Sequence, residues 1–405
     1  MRLTGVRITQ SPRREEWVRL TGDVAYDGGA SRNETIWFEV PEADAAAMNT
    51  AGDAWMASLA PVAAKLHEPL SIGVPADPVL RDNVMEVTRV WHSWYPELKD
   101  VRIDAMPPIS DASRRGSRTA AFFTGGVDSF FTALRHGAGE GTPRTLAIDD
   151  LIFVHGLDIP LGNEPAFANV RASLQRAADA MQKRLVVAAT NLRETRFAEA
   201  SWSRVAHGAA LAGVAHALGG TYGTVVIASS AGYRDLRFWG SHPLTDPMFT
   251  SSRTTVLHDG AAFMRVEKTE YVARSPLAMR HLRVCYRSED GGNCGRCSNC
   301  YRTMLALEAL GALEGCATFD RSSLDLDRAG RIFCQQDFDV RQFGYVLELA
   351  RRMGRPDIER AVNRSLRDSA RLTRHIALLR ALRDFPLLWR WAPRWERQLV
   401  RGWIV

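Results

Sequence analysis

The sequence predicts an α/β protein: a doubly wound parallel sheet preceded by a smaller α+β region and followed by a helical one. Three observations carry this expectation. Between Thr119 and Ser230 short β-rich runs alternate with longer segments of helical period, the pattern of a parallel sheet covered by helices on both faces. The stretch AAFFTGGVDSFFTAL, residues 120–134, passes from an apolar run through two adjacent glycines into an apolar helix pattern. A chain of 405 residues, 46% of them hydrophobic, is also long enough for two or more domains with separate cores.

Residues 1–105 read as an α+β domain of their own. Strands are expected over 3–9, 17–26, 35–40, 70–74 and 101–104, the second and third joined by a turn carrying Asp27, Gly28 and Gly29. Helices are expected over Asp53–Leu66 and Pro78–Trp94, where Pro78 suits a first helical turn. Val87, Val90, Trp91 and Trp94 recur at helical spacing on the second, a stripe that reads as core. Two prolines followed by Ser, Arg and Gly make 106–118 a linker.

The domain over 119–313 begins with the strand, glycine pair and helix already noted. A strand over 151–157, a helix over 164–182, a strand over 185–190, a helix over 201–218 and a strand over 224–230 follow. Alternation of this kind gathers the loops after the strands at one edge, and a site is expected there. A long loop, 232–253, offers Arg234, Arg237, His242 and Asp246 to a substrate. Residues 266–274 read as a strand end entering a helix, and 301–313 as a further helix. The remainder, 314–405, is expected to be helical, with helices over 340–353 and from Pro356 to Arg383.

The glycine pair has chemical consequences. Gly125 and Gly126 remove the side chains that would hold an anion off the backbone, and the helix start behind them offers unpaired N–H groups and the positive end of a helix dipole. Thr124 and Ser129 add hydroxyl groups, while Asp128 in an anion cradle points to a Mg²⁺ ion bridging it to phosphates. An ordinary strand-to-helix turn is the plainer alternative. Neither the Gly-Lys-Ser/Thr of a Walker loop nor a GxGxxG dinucleotide fingerprint is present.

A second cluster lies at CYRSEDGGNCGRCSNC, where Cys285, Cys294, Cys297 and Cys300 form a C-x8-C-x2-C-x2-C array with Gly291, Gly292 and Gly295 between them. Four thiolates at this spacing match a tetrahedral, closed and therefore structural Zn²⁺ site, with a four-iron cluster as the rival. Clustering argues against a disulfide framework. Cys316 and Cys334 stand apart and read as buried hydrophobes.

The run from Thr124 to Ser129 resembles the SGGxDS signature of the PP-loop ATP pyrophosphatases, with Thr124 in place of the first serine. The resemblance implies a sheet of the PP-loop (HUP, adenine nucleotide alpha hydrolase-like) type. It places the phosphates of ATP on Thr124, Gly125, Gly126, Val127, Asp128 and Ser129, and adenine near His155, with Ser229 and Ser230 also bordering the nucleotide. Taken together with the cysteine knuckle, residues 118–313 are similar to the 7-cyano-7-deazaguanine synthases of the queuosine pathway. That implies transfer of AMP from ATP to a substrate carboxylate, release of pyrophosphate, and displacement of AMP by a nitrogen nucleophile. Asp128 would act through Mg²⁺, and Lys268 would neutralise the departing pyrophosphate, where a solvated lysine at a helix start is the alternative. Arg204 is kept from an Arg-Asn pair of that family, but Val205 replaces the asparagine, and Ala-Ser-Ser ends the fourth strand where a glycine is expected. These departures, the long loop and the added regions at both ends imply a larger acceptor, a small-molecule or carrier-linked carboxylate. No glutaminase arrangement is evident, so ammonia would be free or come from a donor protein. A tRNA-modifying PP-loop enzyme and a non-catalytic nucleotide-binding module are the other readings.

The formal charge is +6, and after Asp339 fifteen arginines face six acids. Such an excess admits a nucleic acid or another polyanion as partner, while solvated helix faces account for the same count. The tail FPLLWRWAPRWERQLVRGWIV interleaves four tryptophans with arginines and suits membrane headgroups, nucleic acid or the chain's own core. No apolar run approaches a membrane span and the first residues read as a strand, so a cytoplasmic protein is expected, assembled as a homodimer.

Overall fold

The computed structural model describes residues 1–28, 33–107, 115–139, 145–381 and 403–404. They fall into two compact units, Met1–Phe263 and Met264–Val405.

The first unit runs through β1 (Arg2–Gln10), β2 (Trp17–Ala25), β3 (Glu34–Pro41), α1 (Asp53–Leu66), β4 (Leu70–Pro75), α2 (Pro78–Trp94) and β5 (Ile103–Met106). It continues with β6 (Arg118–Phe122), α3 (Val127–Gly137), β7 (Asp150–His155), α4 (Glu164–Ala180), β8 (Arg184–Thr190), α5 (His207–Ala217), β9 (Tyr222–Ala228) and β10 (Thr255–Asp259). The described strands form one sheet in the order β10-β9-β6-β7-β8-β3-β2-β1-β4-β5. From β10 to β8 all neighbours are parallel. Within this half β6 is central: β7 and β8 extend to one side of it, β9 and β10 to the other.

Every residue of β7 is buried, as expected for a parallel strand covered on both faces. On one face α3 and α4 supply the cover, with Phe130 edge-on to Phe123 at 4.9 Å and Phe167 stacked on Phe153 at 5.7 Å. On the other, Phe122, Val154, Val186 and Ile227 share a continuous core with Trp55 of α1, Trp91 of α2 and Val214 of α5. Local signals set the helix starts: the Asp77 carboxylate accepts the Leu80 N–H at 3.0 Å to cap α2, and Asn163 accepts that of Ala166 at 3.2 Å to cap α4. A π-helical turn, Trp202–Ala206, precedes α5, where the sequence suggests one continuous helix.

Two features differ from the sequence expectation. The strands of residues 1–105 form no separate sheet; they continue the parallel one. β3 pairs antiparallel with β8, Phe38 opposite Thr190 and Glu39 opposite Ala189. Asn191 clamps the seam, accepting the Trp37 N–H at 2.9 Å and donating to the Thr35 carbonyl at 2.8 Å. The physical reason is that β8 would otherwise leave an open edge of unpaired N–H and C=O groups. The second difference is β10 itself. A strand end is expected at Val266, but the fifth parallel strand is Thr255–Asp259, and Val266 lies inside a helix.

In the second unit α6 (Arg265–Ala273), α7 (Pro276–His281), α8 (Ser298–Ala309), α9 (Leu326–Ala329), α10 (Asp337–Arg352) and α11 (Pro356–Ala381) follow one another. Tyr301, Leu305, Ile332, Phe343, Val346, Ile358 and Val362 form its core. The turn at Gly29, most of the 106–118 linker, Arg383 and most of the tryptophan-arginine tail lie outside the described residues. Of that tail Trp403 is described, edge-on to Phe333 at 5.9 Å. Among the described residues no helix is long and apolar enough to cross a membrane.

The contact of α1 with α5 depends on Gly213, where a Cβ would stand 1.9 Å from the Ser58 hydroxyl. Gly213→Val is therefore expected to lower stability by about 1–3 kcal/mol through overpacking, measured as a drop in the urea midpoint without change of slope.

Candidate functional site

In an open α/β sheet the crevice beyond the carboxyl ends of two strands forms where the strand order reverses, here between β6 and β9. Two turns border it. After β6 the N–H of Phe123 still bonds the Ile152 carbonyl at 2.8 Å, and the chain then turns through Thr124, Gly125 and Gly126 into α3. Gly125 has φ +74°, a left-handed conformation that side chains disfavour. Gly126 is the N-cap of α3 and, having no side chain, makes no capping bond to that end of the helix. Thr124 and Asp128 are half-buried, Val127 and Ser129 buried, and the Ser129 hydroxyl braces the turn by donating to the Gly126 carbonyl at 3.1 Å. After β9 the buried Ser229 donates its N–H to the Asp259 carbonyl at 2.7 Å and its hydroxyl to Ala231, while Ser230 is half-buried. Thr124, Gly125, Gly126, Val127, Asp128, Ser129, Ser229 and Ser230 are thus brought to one crevice.

One residue missed in the sequence joins its two sides. The Asp259 carboxylate, at the end of β10, accepts from Thr132 at 2.7 Å and Arg135 at 2.5 Å, and lies 3.2 Å from His136, all on α3. Burial pushes its pKa up, but the bonds from His136 and Thr132 and the Arg135 charge outweigh that and hold it well below the ordinary carboxylate range. A single Asp at the end of an unrecognised strand carries no local signal.

The other expected residues are placed differently. His155 is buried and stacked on Phe167 at 4.1 Å; its Nε2 lies 3.0 Å from the Pro160 carbonyl and its Nδ1 2.6 Å from an Arg14 nitrogen. A carbonyl only accepts, so Nε2 carries the proton and Nδ1 accepts from the guanidinium. Burial, then the Arg14 charge, lowers its pKa to about 4. Both ring nitrogens are committed within the fold. Arg204 pairs with Glu97 and lies 3.8 Å over the Tyr95 ring. Lys268 belongs to the second unit, on α6, and its side chain is buried, so the solvated alternative does not apply.

The segment from Gly232 to Arg253 is ordered by a buried acid. Asp246 accepts from the Ser241 hydroxyl at 2.6 Å, the His242 N–H at 3.2 Å and His258 Nδ1 at 2.7 Å. Gly208 makes room for it, since a Cβ there would come within 2.3 Å of its carboxylate.

In the second unit the sulfurs of Cys285, Cys294, Cys297 and Cys300 all lie within 4.8 Å of one another. Cys285 and Cys297 are 3.9 Å apart, Cys294 and Cys300 3.8 Å. Bonds of about 2.3 Å to a tetrahedral Zn²⁺ put sulfurs about 3.8 Å apart, whereas a disulfide needs about 2.05 Å. The cluster therefore fits a metal such as zinc. Backbone N–H groups are turned toward the sulfurs: Arg287 to Cys285 at 3.3 Å, Arg296 and Cys297 to Cys294 at 3.4 Å. Gly291 and Gly295, at φ +82° and +62°, fold the knuckle back on itself. Asn293 ties its ends, accepting from the Val284 N–H at 2.9 Å and donating to the Leu282 carbonyl at 2.8 Å. Cys316 and Cys334 are buried elsewhere, beside Thr318 and Ser365.

Fold and site together define an α/β protein with a glycine turn at its topological switch point and a four-cysteine cluster that can hold a metal. Comparison with protein-family models, curated proteins and solved structures finds no match.

Purified protein is expected to carry about one Zn²⁺ per chain by metal analysis, and Cys297→Ser or strong chelation to lower the unfolding temperature. Iron with a charge-transfer band would contradict this. His155 sets a pH dependence: with its folded pKa below the unfolded value of about 6.5, the unfolded chain takes up a proton first as pH falls. Its contribution is complete above about pH 6.5 and is lost toward pH 4, on the order of 3 kcal/mol. His207 and His216, also lowered by burial, act in the same direction. Urea unfolding at pH 7 and 4.5 should show the loss, and His155→Gln should reduce the difference between the two.

Proposed function

We propose that the protein is an ATP-dependent, AMP- and pyrophosphate-forming ligase of the PP-loop type, which adenylates a substrate carboxylate and lets a nitrogen nucleophile displace AMP. The observation that carries the reading is the conjunction at the switch point: a positive-φ Gly125, a glycine at the N-cap of α3, and Thr124, Asp128 and Ser129 on the same turn. Backbone N–H groups of an open helix start bind phosphate without a cationic side chain. Thr124 would donate to a terminal phosphate oxygen, and Ser129 would do so by turning its hydroxyl away from Gly126. Asp128, in the first turn of α3, is the residue that would hold Mg²⁺, which supplies charge neutralisation on the phosphates. In the first step a carboxylate oxygen attacks the α-phosphorus and the bond to pyrophosphate breaks. In the second the nitrogen attacks the acyl carbon, the carbon–oxygen bond to AMP breaks, and the nitrogen releases its proton to water. These roles rest on residues of the first unit alone.

Incubation with ATP and candidate carboxylates is expected to yield AMP and pyrophosphate; ADP as the only product would contradict the reading. Asp128→Ala should abolish Mg²⁺-dependent ATP binding, followed by calorimetry, with the unfolding temperature nearly unchanged. The acceptor proposed is larger than a deazapurine acid. With 7-carboxy-7-deazaguanine, ATP and ammonium, mass spectrometry should detect little nitrile, and turnover at kcat/KM of about 10⁴ M⁻¹s⁻¹ or better would refute that part alone.

A further inference from the structure

α11 carries arginines at 360, 364, 367, 371 and 374, in steps of four, three, four and three residues. This spacing lines one helix face. All five are exposed, Arg364, Arg367 and Arg371 with 49%, 64% and 61% of their side-chain surface in solvent. The opposite face is committed to the second unit: Ile358, Val362, Leu372 and Ile376 are buried there, and the Ser365 and Ser369 hydroxyls donate to the Ile332 carbonyl. From the first arginine to the last the ridge is about 21 Å long at 1.5 Å per residue.

Two acids offset part of its charge. Asp327 pairs with Arg364 at 3.1 Å, and Asp368 lies 3.5 Å from Arg367 and 3.6 Å from Arg371. Arg360 and Arg374 have no acidic partner among the described residues. Exposed pairs of this kind are worth well under about 1 kcal/mol, so the ridge remains a row of cations.

We infer that this ridge binds the phosphodiester backbone of a single-stranded nucleic acid without reading its sequence. Each phosphate of a strand carries one charge, and the five guanidiniums spaced along the ridge, set against Asp327 and Asp368, offer a continuous row of cationic partners. The planar donor fork of arginine fits phosphate oxygens, and such contacts set position rather than sequence. A single row one residue wide suits one strand better than the two backbones of a duplex. An anionic membrane fits less well, because a helix lying in the interface sinks its apolar face into lipid, and that face of α11 is occupied. The inference does not depend on the ATP chemistry, and neither would fail with the other.

The test is fluorescence anisotropy of a fluorescein-labelled 20-nucleotide RNA titrated with the full chain at 50–200 mM KCl. Saturable binding is expected, with log K falling against log salt at a slope near −3.5, about 0.7 per phosphate engaged. Changing all five arginines to Gln, a good helix former, should weaken binding at least tenfold at 50 mM salt and flatten the slope while the far-ultraviolet circular dichroism is unchanged. The corresponding five-Lys variant should retain most of the binding, and Asp368→Asn should tighten it. No binding at 50 mM salt, equal binding by the Gln variant, or capture of duplex DNA or phosphatidylserine vesicles but not single-stranded RNA would overturn the assignment.

Discussion

The buried carboxylate of Asp259 is the constraint on which the switch-point crevice depends. α3 presents the glycine turn, and β10 runs beside β9, whose end carries Ser229 and Ser230; the sheet ladders join β6 to β9 and β9 to β10 but give α3 no tie of its own. Asp259 supplies that tie through Thr132, Arg135 and His136 on α3, while its own carbonyl holds the Ser229 N–H. Such an arrangement is all or nothing. Removing the acid would leave Arg135 buried without its counter-charge, a loss larger than the net worth of the pair. The conformation of the loop is thus linked to a charge cluster on the far side of its helix, which is how a turn of flexible residues can be held in one shape.

Much of the fold is legible because its signals are local. α1 and α2 begin and end where the sequence places them, since Pro78 in a first turn behind the Asp77 cap marks one start without tertiary information. The glycine pair and the cysteine spacing are likewise local: the pair turns the chain from β6 into α3, and the four cysteines come together as their spacing suggests. What escapes is long-range. β10 is five residues, TVLHD, preceded by a polar run, and it is a strand because β9 offers it a parallel edge. The joining of β3 to β8 brings together residues about 150 apart in sequence, and neither strand differs in composition from the edge of a separate sheet. The partner of the His155 ring illustrates the same limit: Arg14 comes from the turn between β1 and β2, about 140 residues away in sequence.

The cysteine knuckle obeys a different economy. Four thiolates held together repel one another, and the fold prepares for a cation by turning N–H groups toward the sulfurs and by starting α8 immediately after Cys297, so that Cys300 sits in a helix first turn. Four cysteine ligands would leave no coordination position for a substrate, and Asn293, within the knuckle, is engaged in bracing the loop against Leu282 and Thr318. A metal there would stabilise the second unit and take no direct part in group transfer.

The segment between β9 and β10 bears most directly on the choice of acceptor. A connection of this length suggests a mobile lid, yet its middle is pinned by Asp246, by the His216 imidazole on the Phe249 carbonyl at 2.7 Å, and by Asn83 on the Thr250 carbonyl at 2.8 Å. Its two acids, Asp235 and Asp246, are buried, and several apolar side chains of the segment stay outside. Tyr233, Leu236, Phe238 and Leu244 are all at least 44% exposed, and Phe238 is held by stacking on Trp94 at 5.0 Å. A rigid wall with apolar side chains turned outward costs less entropy on binding than a loop that must first be ordered. In the proposed function it would suit an acceptor with apolar or aromatic surface beyond its reacting carboxylate, and a small charged acid would leave most of that wall in water.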